Sequence, residues 1–212
     1  MFVAYRFHSF TQMQSYNDFF ILHFANAVAT FSILDFYRRK GSAITMVEKA
    51  KRYAIDCHEM TLHRYDGKPY ATHLQMVFDT AGKFIYLVPE QHRENVLAAC
   101  WVHDVIEDCR QTYNDVKKAT NTEIAELAYA LTNEKGKTRS ERANDKYYEG
   151  IRQMPFAAFI KVCDRIANYE YSKRQGSKMA DVYEKEMDSF IAKLYDVRYE
   201  ELFKYLIDVG KI

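Results

Sequence analysis

Val96-Leu97-Ala98-Ala99-Cys100-Trp101-Val102-His103-Asp104-Val105-Ile106-Glu107-Asp108 is apolar through Val102 and then carries four titratable side chains in six residues. An unbroken apolar run leaves a helix no polar face, so Arg93 to Asp104 is expected to be a central helix buried on all sides. A charge taken into such surroundings is costly unless it is paired or bound to a metal. An exposed helix end would account for Glu107 and Asp108 without any function. His103 and Asp104 ask for partners, and those have to come from other segments.

Outward from this run, both flanks read as helices. Val47, Ala50, Tyr53, Ala54 and Cys57 recur at intervals of three and four, which predicts a helix from Met46. Asp66-Gly67 signals a turn. Thr72 is a candidate N-cap for a helix carrying His73, and residues 81–92, with Gly82 and Pro89, read as a loop. On the other side, Thr112-x-x-Asp115 resembles a capping box. Ile124, Leu127, Ala128 and Leu131 share one helical face. Arg139 to Gln153 is charged and expected to be solvated. Pro155 fits the first turn of a helix running to Tyr171. Lys173 to Lys178 is a loop, and a last helix is expected over about Asp181 to Asp208.

Only 7 Gly and 3 Pro occur in 212 residues, and that scarcity of breakers favours helices over a turn-rich β architecture. The expected fold class is all-α, without a convincing strand. Hydrophobic residues at 48% and charged residues at 28% are those of a soluble globular protein. The net charge of +1 supplies no general field for nucleic acid or an anionic membrane, so a phosphorylated ligand would have to meet a local cluster. Cys57, Cys100, Cys109 and Cys163 form no Cys-x-x-Cys pair, which argues against a zinc ribbon. Cys100 and Cys163 read as core residues, and a reduced, cytoplasmic protein is the simplest expectation.

Residues 1–45 stand apart. Phe19 to Leu34 carries no formal charge and Arg38-Arg39-Lys40 follows. The apolar run is short and is interrupted by His23 and Asn26, which argues against a membrane anchor. An extension forming an extra helix, or a true start at Met46, are the better readings, with Gly41-Ser42 as the boundary. The domain proper is expected to span 46–212.

Four groups in or near apolar helices now stand out: His73, the adjacent His103 and Asp104, and Asp164. Two imidazoles and two carboxylates suit a divalent transition metal of intermediate hardness, such as Mn²⁺ or Fe²⁺. Neighbours on a helix point about a hundred degrees apart, so His103 and Asp104 reach one ion only if the helix end faces it. For Asp164 the plain alternative is an ion pair with Lys161 or Arg165.

The order of these elements resembles the HD-domain phosphohydrolases, and within them the (p)ppGpp hydrolase domain of RelA/SpoT-type enzymes and their small single-domain relatives. Arg64-x-x-Gly67-x-Pro69-Tyr70-x-x-His73 is similar to the Arg-x-x-Gly-x-Pro-Tyr-x-x-His of that family. His103-Asp104-x-x-Glu107-Asp108 is similar to its His-Asp-x-x-Glu-Asp, and Asp164-Arg165-x-x-Asn168 to its Asp-Arg/Lys-x-x-Asn. The likeness runs from about Val47 to Tyr205.

The resemblance implies a helical bundle and a Mn²⁺ site made by His73, His103, Asp104 and Asp164. It implies that Glu107 and Asp108 act on the attacking water, with Glu107 favoured for that role. It also implies that Arg64 and Asn168 contact the nucleotide. The implied reaction is removal of the 3′-pyrophosphate from guanosine-3′,5′-bis(diphosphate) by a stand-alone hydrolase. Tyr65 and Asp66 stand where the family often has a small or basic residue and then Ser, and Glu170 where it commonly has Arg; an acid in place of a base near a polyphosphate repels it. Phosphatase activity on another nucleotide, such as a nucleoside monophosphate or a 2′-phosphorylated dinucleotide, is the rival reaction. A non-catalytic nucleotide-binding module is the rival of another kind.

Overall fold

A computed structural model describes residues 44–211. The readings made on residues 1–43 lie outside it. Helix α1 spans Met46–Met60, with Thr45 accepting from the backbone N–H of Glu48. Strands β1 (Arg64–Tyr65) and β2 (Lys68–Pro69) form an antiparallel hairpin. Helices α2 (Ala71–Phe84), α3 (Glu90–Val102) and the single turn α4 (Val105–Asp108) follow. Next come α5 (Tyr113–Ala119), α6 (Thr122–Leu131), α7 (Arg139–Arg142) and α8 (Asp145–Gln153). The chain ends with α9 (Ala157–Arg174), α10 (Met179–Leu194) and α11 (Glu200–Lys211). The all-α class holds, and the two strands are two residues each.

Two helices make the centre. Every residue of α3 from Val96 to Val102 is buried, and α3 packs against α1, α2 and α6. Helix α9 buries thirteen residues, including Cys163, and packs on α2 and α11. All four cysteines are free and buried. The apolar content of these helices lets them carry ligating groups into the interior.

Several local expectations are corrected. Residues 81–92 are not a loop: α2 continues through Gly82 to Phe84, and a 3₁₀ turn at Ile85–Leu87 leads to Pro89, directly before α3. One glycine costs a helix about 1 kcal/mol relative to Ala, which the burial of Val77 and Ala81 offsets. Thr72 does not cap α2. Tyr70 occupies that position and its backbone carbonyl accepts from the His73 N–H. Pro155 lies in a turn before α9, which starts at Ala157 after Phe156 with φ of 67°.

The last helical stretch is broken. The helix stops at Leu194, and the extended Asp196 accepts from the Arg198 N–H to start a 3₁₀ turn. Residues 139–153 form two helices, because Asn144 caps α8. That helix buries Tyr147, Tyr148 and Ile151, so it is less solvated than its charge suggested. The Asp66-Gly67 turn and the Thr112–Asp115 capping box are present as expected.

Candidate metal centre

His73 sits on α2, one turn after the hairpin. His103 and Asp104 lie in the turn where α3 ends and α4 begins, so the helix end faces the cluster as two neighbouring ligands require. Asp164 is in the middle of α9. Ligand atoms of His73, His103 and Asp164 all fall within 4.8 Å of one another, and all three residues are buried. Asp104 stands outside that mutual grouping, yet its Oδ2 is 3.0 Å from His103 Nε2 and 3.4 Å from His73 Nε2. Asp164 Oδ1 approaches the same atoms at 3.3 Å from His73 and 3.9 Å from His103. Four side chains from three segments therefore converge on one point.

The donors suit a divalent cation. His103 Nδ1 lies 2.9 Å from the Cys100 carbonyl, which can only accept, so this nitrogen carries the proton. That turns Nε2 toward the cluster, where it faces Asp104 Oδ2 at 3.0 Å and is the nitrogen that can give its lone pair to an ion. A backbone carbonyl on the far nitrogen is the usual way a ligating imidazole is oriented. The two carboxylate oxygens are held as well. Tyr70 donates its hydroxyl to Asp104 Oδ2 at 2.6 Å, and Asn168 Nδ2 donates to Asp164 Oδ1 at 2.6 Å.

Charge explains the titration of the cluster. Burial works against ionisation of Asp164, but Lys161 and the two imidazoles outweigh it and hold the carboxyl well below its usual range. Lys161 Nζ is 3.0 Å from Asp164 Oδ2, which is the ion pair expected from the spacing. Arg165 pairs with Glu186 instead. Burial likewise opposes the imidazolium of His73, but hydrogen bonds with Asp104 and Asp164 push it up to about 9. In the ion-free protein that proton stands in for part of the positive charge the carboxylates call for.

The remaining predicted residues separate. Asp108 lies close enough to Asp104 to feel its charge. Burial first, then Asp104 and Glu107, raise its carboxyl to about 7. Glu107 is exposed and its carboxylate accepts from the Asn133 side chain at 3.0 Å. Arg64 is exposed and paired with Glu59 at 3.0 Å. Asn168 has both ends of its amide engaged, with Oδ1 accepting from the Tyr65 hydroxyl at 2.9 Å. The acids that departed from the family pattern are bonded to tyrosines: Asp66 to Tyr171 at 2.8 Å and Glu170 to Tyr205 at 2.6 Å.

Sequence reasoning missed His58 and His63 and gave Tyr70 no role. The rings of His58 and His63 stack on Tyr70 and on each other, and their Nδ1 atoms are 3.1 Å apart. His63 Nδ1 lies 3.7 Å from Asp108. Burial pushes His58 down to about 4. A signal was present for His58, which continues the buried face of α1 after Ala54 and Cys57.

Residues 50–194 match the family model of the HD domain. The chain belongs to the HD-domain family. Among known proteins it is similar to the guanosine-3′,5′-bis(diphosphate) 3′-pyrophosphohydrolase MESH1 of Drosophila melanogaster. The two are 29% identical over 75 residues, 35% of this chain and 42% of that relative. The match therefore spans less than half of the relative's length. No helix among the described residues is long and apolar enough to cross a membrane.

Proposed function

We propose that residues 46–212 form a Mn²⁺-dependent nucleotide hydrolase that removes pyrophosphate from guanosine-3′,5′-bis(diphosphate). The observation that carries this is the convergence of His73, His103 and Asp164 within 4.8 Å, with Asp104 touching both rings. The family match over 50–194 and the activity named for the fly relative support it. His73, His103, Asp104 and Asp164 would hold the ion. The ion supplies a lowered pKa for water and neutralises charge on phosphoryl oxygens.

The chain's own residues do the rest. Asp108, with a carboxyl near 7, is matched to take a proton from water at neutral pH. Glu107, favoured on sequence grounds, is fastened to Asn133 and supports Asp108 by its charge. Arg64 is assigned to the nucleotide, exchanging Glu59 for a phosphate or stacking on the base. Asn168 is assigned first to Asp164 and only second to a ribose hydroxyl, because its amide is already engaged.

Hydrolysis of another phosphorylated nucleotide is kept as a second reading, since Asp66 and Glu170 depart from the pattern of the resembling family. The deciding experiment measures pyrophosphate and orthophosphate released from a nucleotide panel with Mn²⁺. Wild type is compared with Asp104→Ala and Glu107→Ala. Pyrophosphate from guanosine-3′,5′-bis(diphosphate), lost in Asp104→Ala, is the expected result. Orthophosphate from a different nucleotide selects the second reading, and tight binding without turnover removes the enzymatic one.

A further inference from the structure

The hairpin Arg64–Pro69 is fastened to α9 by side chains about a hundred residues away in sequence. The Tyr65 hydroxyl donates to Asn168 Oδ1 at 2.9 Å. The Tyr171 hydroxyl donates to Asp66 Oδ2 at 2.8 Å, and Lys68 Nζ donates to that same hydroxyl at 3.2 Å. The Tyr65 ring lies nearly parallel to the His73 imidazole, with centroids 5.0 Å apart and planes 21° apart. Tyr65 therefore meets the metal cluster twice, once through its ring and once through its hydroxyl.

The second meeting is the informative one. Asn168 Nδ2 donates to Asp164 Oδ1 at 2.6 Å and to the Asp164 backbone carbonyl at 3.1 Å. Asp164 Oδ1 is the oxygen that faces His73 Nε2, while Oδ2 faces Lys161. The Asn168 amide is thus held at one end by Tyr65 and aims the ligating oxygen with the other. Tyr70 performs the matching service for Asp104 by donating directly to its Oδ2.

We propose that Tyr65 is a positioning residue for the metal centre, acting through Asn168 to aim Asp164 Oδ1 at the two imidazoles. The inference rests on the reading of His73, His103, Asp104 and Asp164 as ligands. Removing the hydroxyl frees the carbonyl end of the amide, so Nδ2 can swing away from Asp164. Loss of an outer partner of a metal ligand commonly lowers affinity about 10–100-fold.

The test uses Tyr65→Phe, which keeps the ring over His73 and deletes only the hydroxyl, with Tyr171→Phe as the control that loosens the same hairpin elsewhere. Mn²⁺ affinity is read from the electron paramagnetic resonance signal of free Mn²⁺. Melting of the ion-free proteins is read by circular dichroism. Tyr65→Phe is expected to raise the Mn²⁺ Kd about tenfold, while Tyr171→Phe leaves it unchanged and both ion-free variants melt alike. Equal Mn²⁺ affinity in wild type and Tyr65→Phe overturns this inference alone. Equal weakening by Tyr171→Phe overturns it too, because the hairpin and not the hydroxyl would be acting. A lower melting point for ion-free Tyr65→Phe than for Tyr171→Phe also counts against it. A wild-type protein that takes up no Mn²⁺ overturns both the inference and the ligand assignment beneath it.

Discussion

Asp108 and His73 carry opposite protonation problems in one site. Burial and the neighbouring charges of Asp104 and Glu107 raise the Asp108 carboxyl to about 7. A base must be anionic to accept a proton, so kcat/KM should rise with pH through this group's titration and level off above it. A divalent ion beside Asp104 cancels part of the negative potential, which moves that limb below 7 at saturating Mn²⁺. Asp108→Asn should remove the limb and lower kcat by about 10²–10⁴-fold, the usual worth of a positioned acid or base. The pH–rate profiles of the two proteins check this, and an unchanged limb in Asp108→Asn would assign it to another group. For His73 the sign is reversed. Its imidazole is pushed up to about 9 in the ion-free protein, so below that pH Mn²⁺ has to displace a proton. Affinity should therefore fall as pH falls, by about tenfold per unit for one proton. Titration calorimetry in buffers of different ionisation enthalpy counts the proton directly. Release of none at neutral pH would mean that His73 is already neutral.

At the scale of elements, the site depends on where α3 stops. His103 and Asp104 lie in the turn between α3 and α4, and the Asp108 N–H still bonds to the Asp104 carbonyl at 2.9 Å. The path stays nearly helical and keeps Asp108 one turn beyond the ligand. This much was legible, because an apolar run followed by His-Asp-x-x-Glu-Asp is a local pattern. The burial of α3 and α9 was legible for the same reason. The fastening of Asp164 was not. Tyr65 and Asn168 are 103 residues apart, and no periodicity marks a hydroxyl and an amide that meet only after folding. Helix ends were misread where polar side chains decide them, as at Asn144 and Asp196, whose caps break runs that periodicity alone would continue. Caps elsewhere should act on stability without touching chemistry. The Thr112–Asp115 box is exposed and starts α5 away from the ligands. Thr112→Ala should cost about 1 kcal/mol in urea unfolding and leave Mn²⁺ affinity as it was. A change in affinity would show that α5 helps to hold the site through α4.

For the whole molecule, the cluster joins segments that are remote in the chain. His73 comes from α2, His103 and Asp104 from the end of α3, and Asp164 from α9, the helix that also packs on α2 and α11. In the ion-free protein their cohesion relies on Lys161, on a protonated His73 and on neutral donors such as Tyr70 and Asn168. An ion bound only by the folded chain adds a cross-link among these three segments. At a concentration of 100 times Kd, such a ligand stabilises by about 2.7 kcal/mol. For a chain of this size each kcal/mol moves Tm by about 2–4 °C, so the expected rise is about 5–10 °C. Chelation should reverse it, and Asp104→Ala should abolish it, because that variant removes the carboxylate nearest both rings. The rise should shrink as pH drops, in step with the proton that His73 must lose. A Tm that ignores Mn²⁺, in a protein shown by direct titration to bind it, would mean that the unfolded chain binds the ion as well as the folded one does, and so that the site is not one assembled by bringing these helices together.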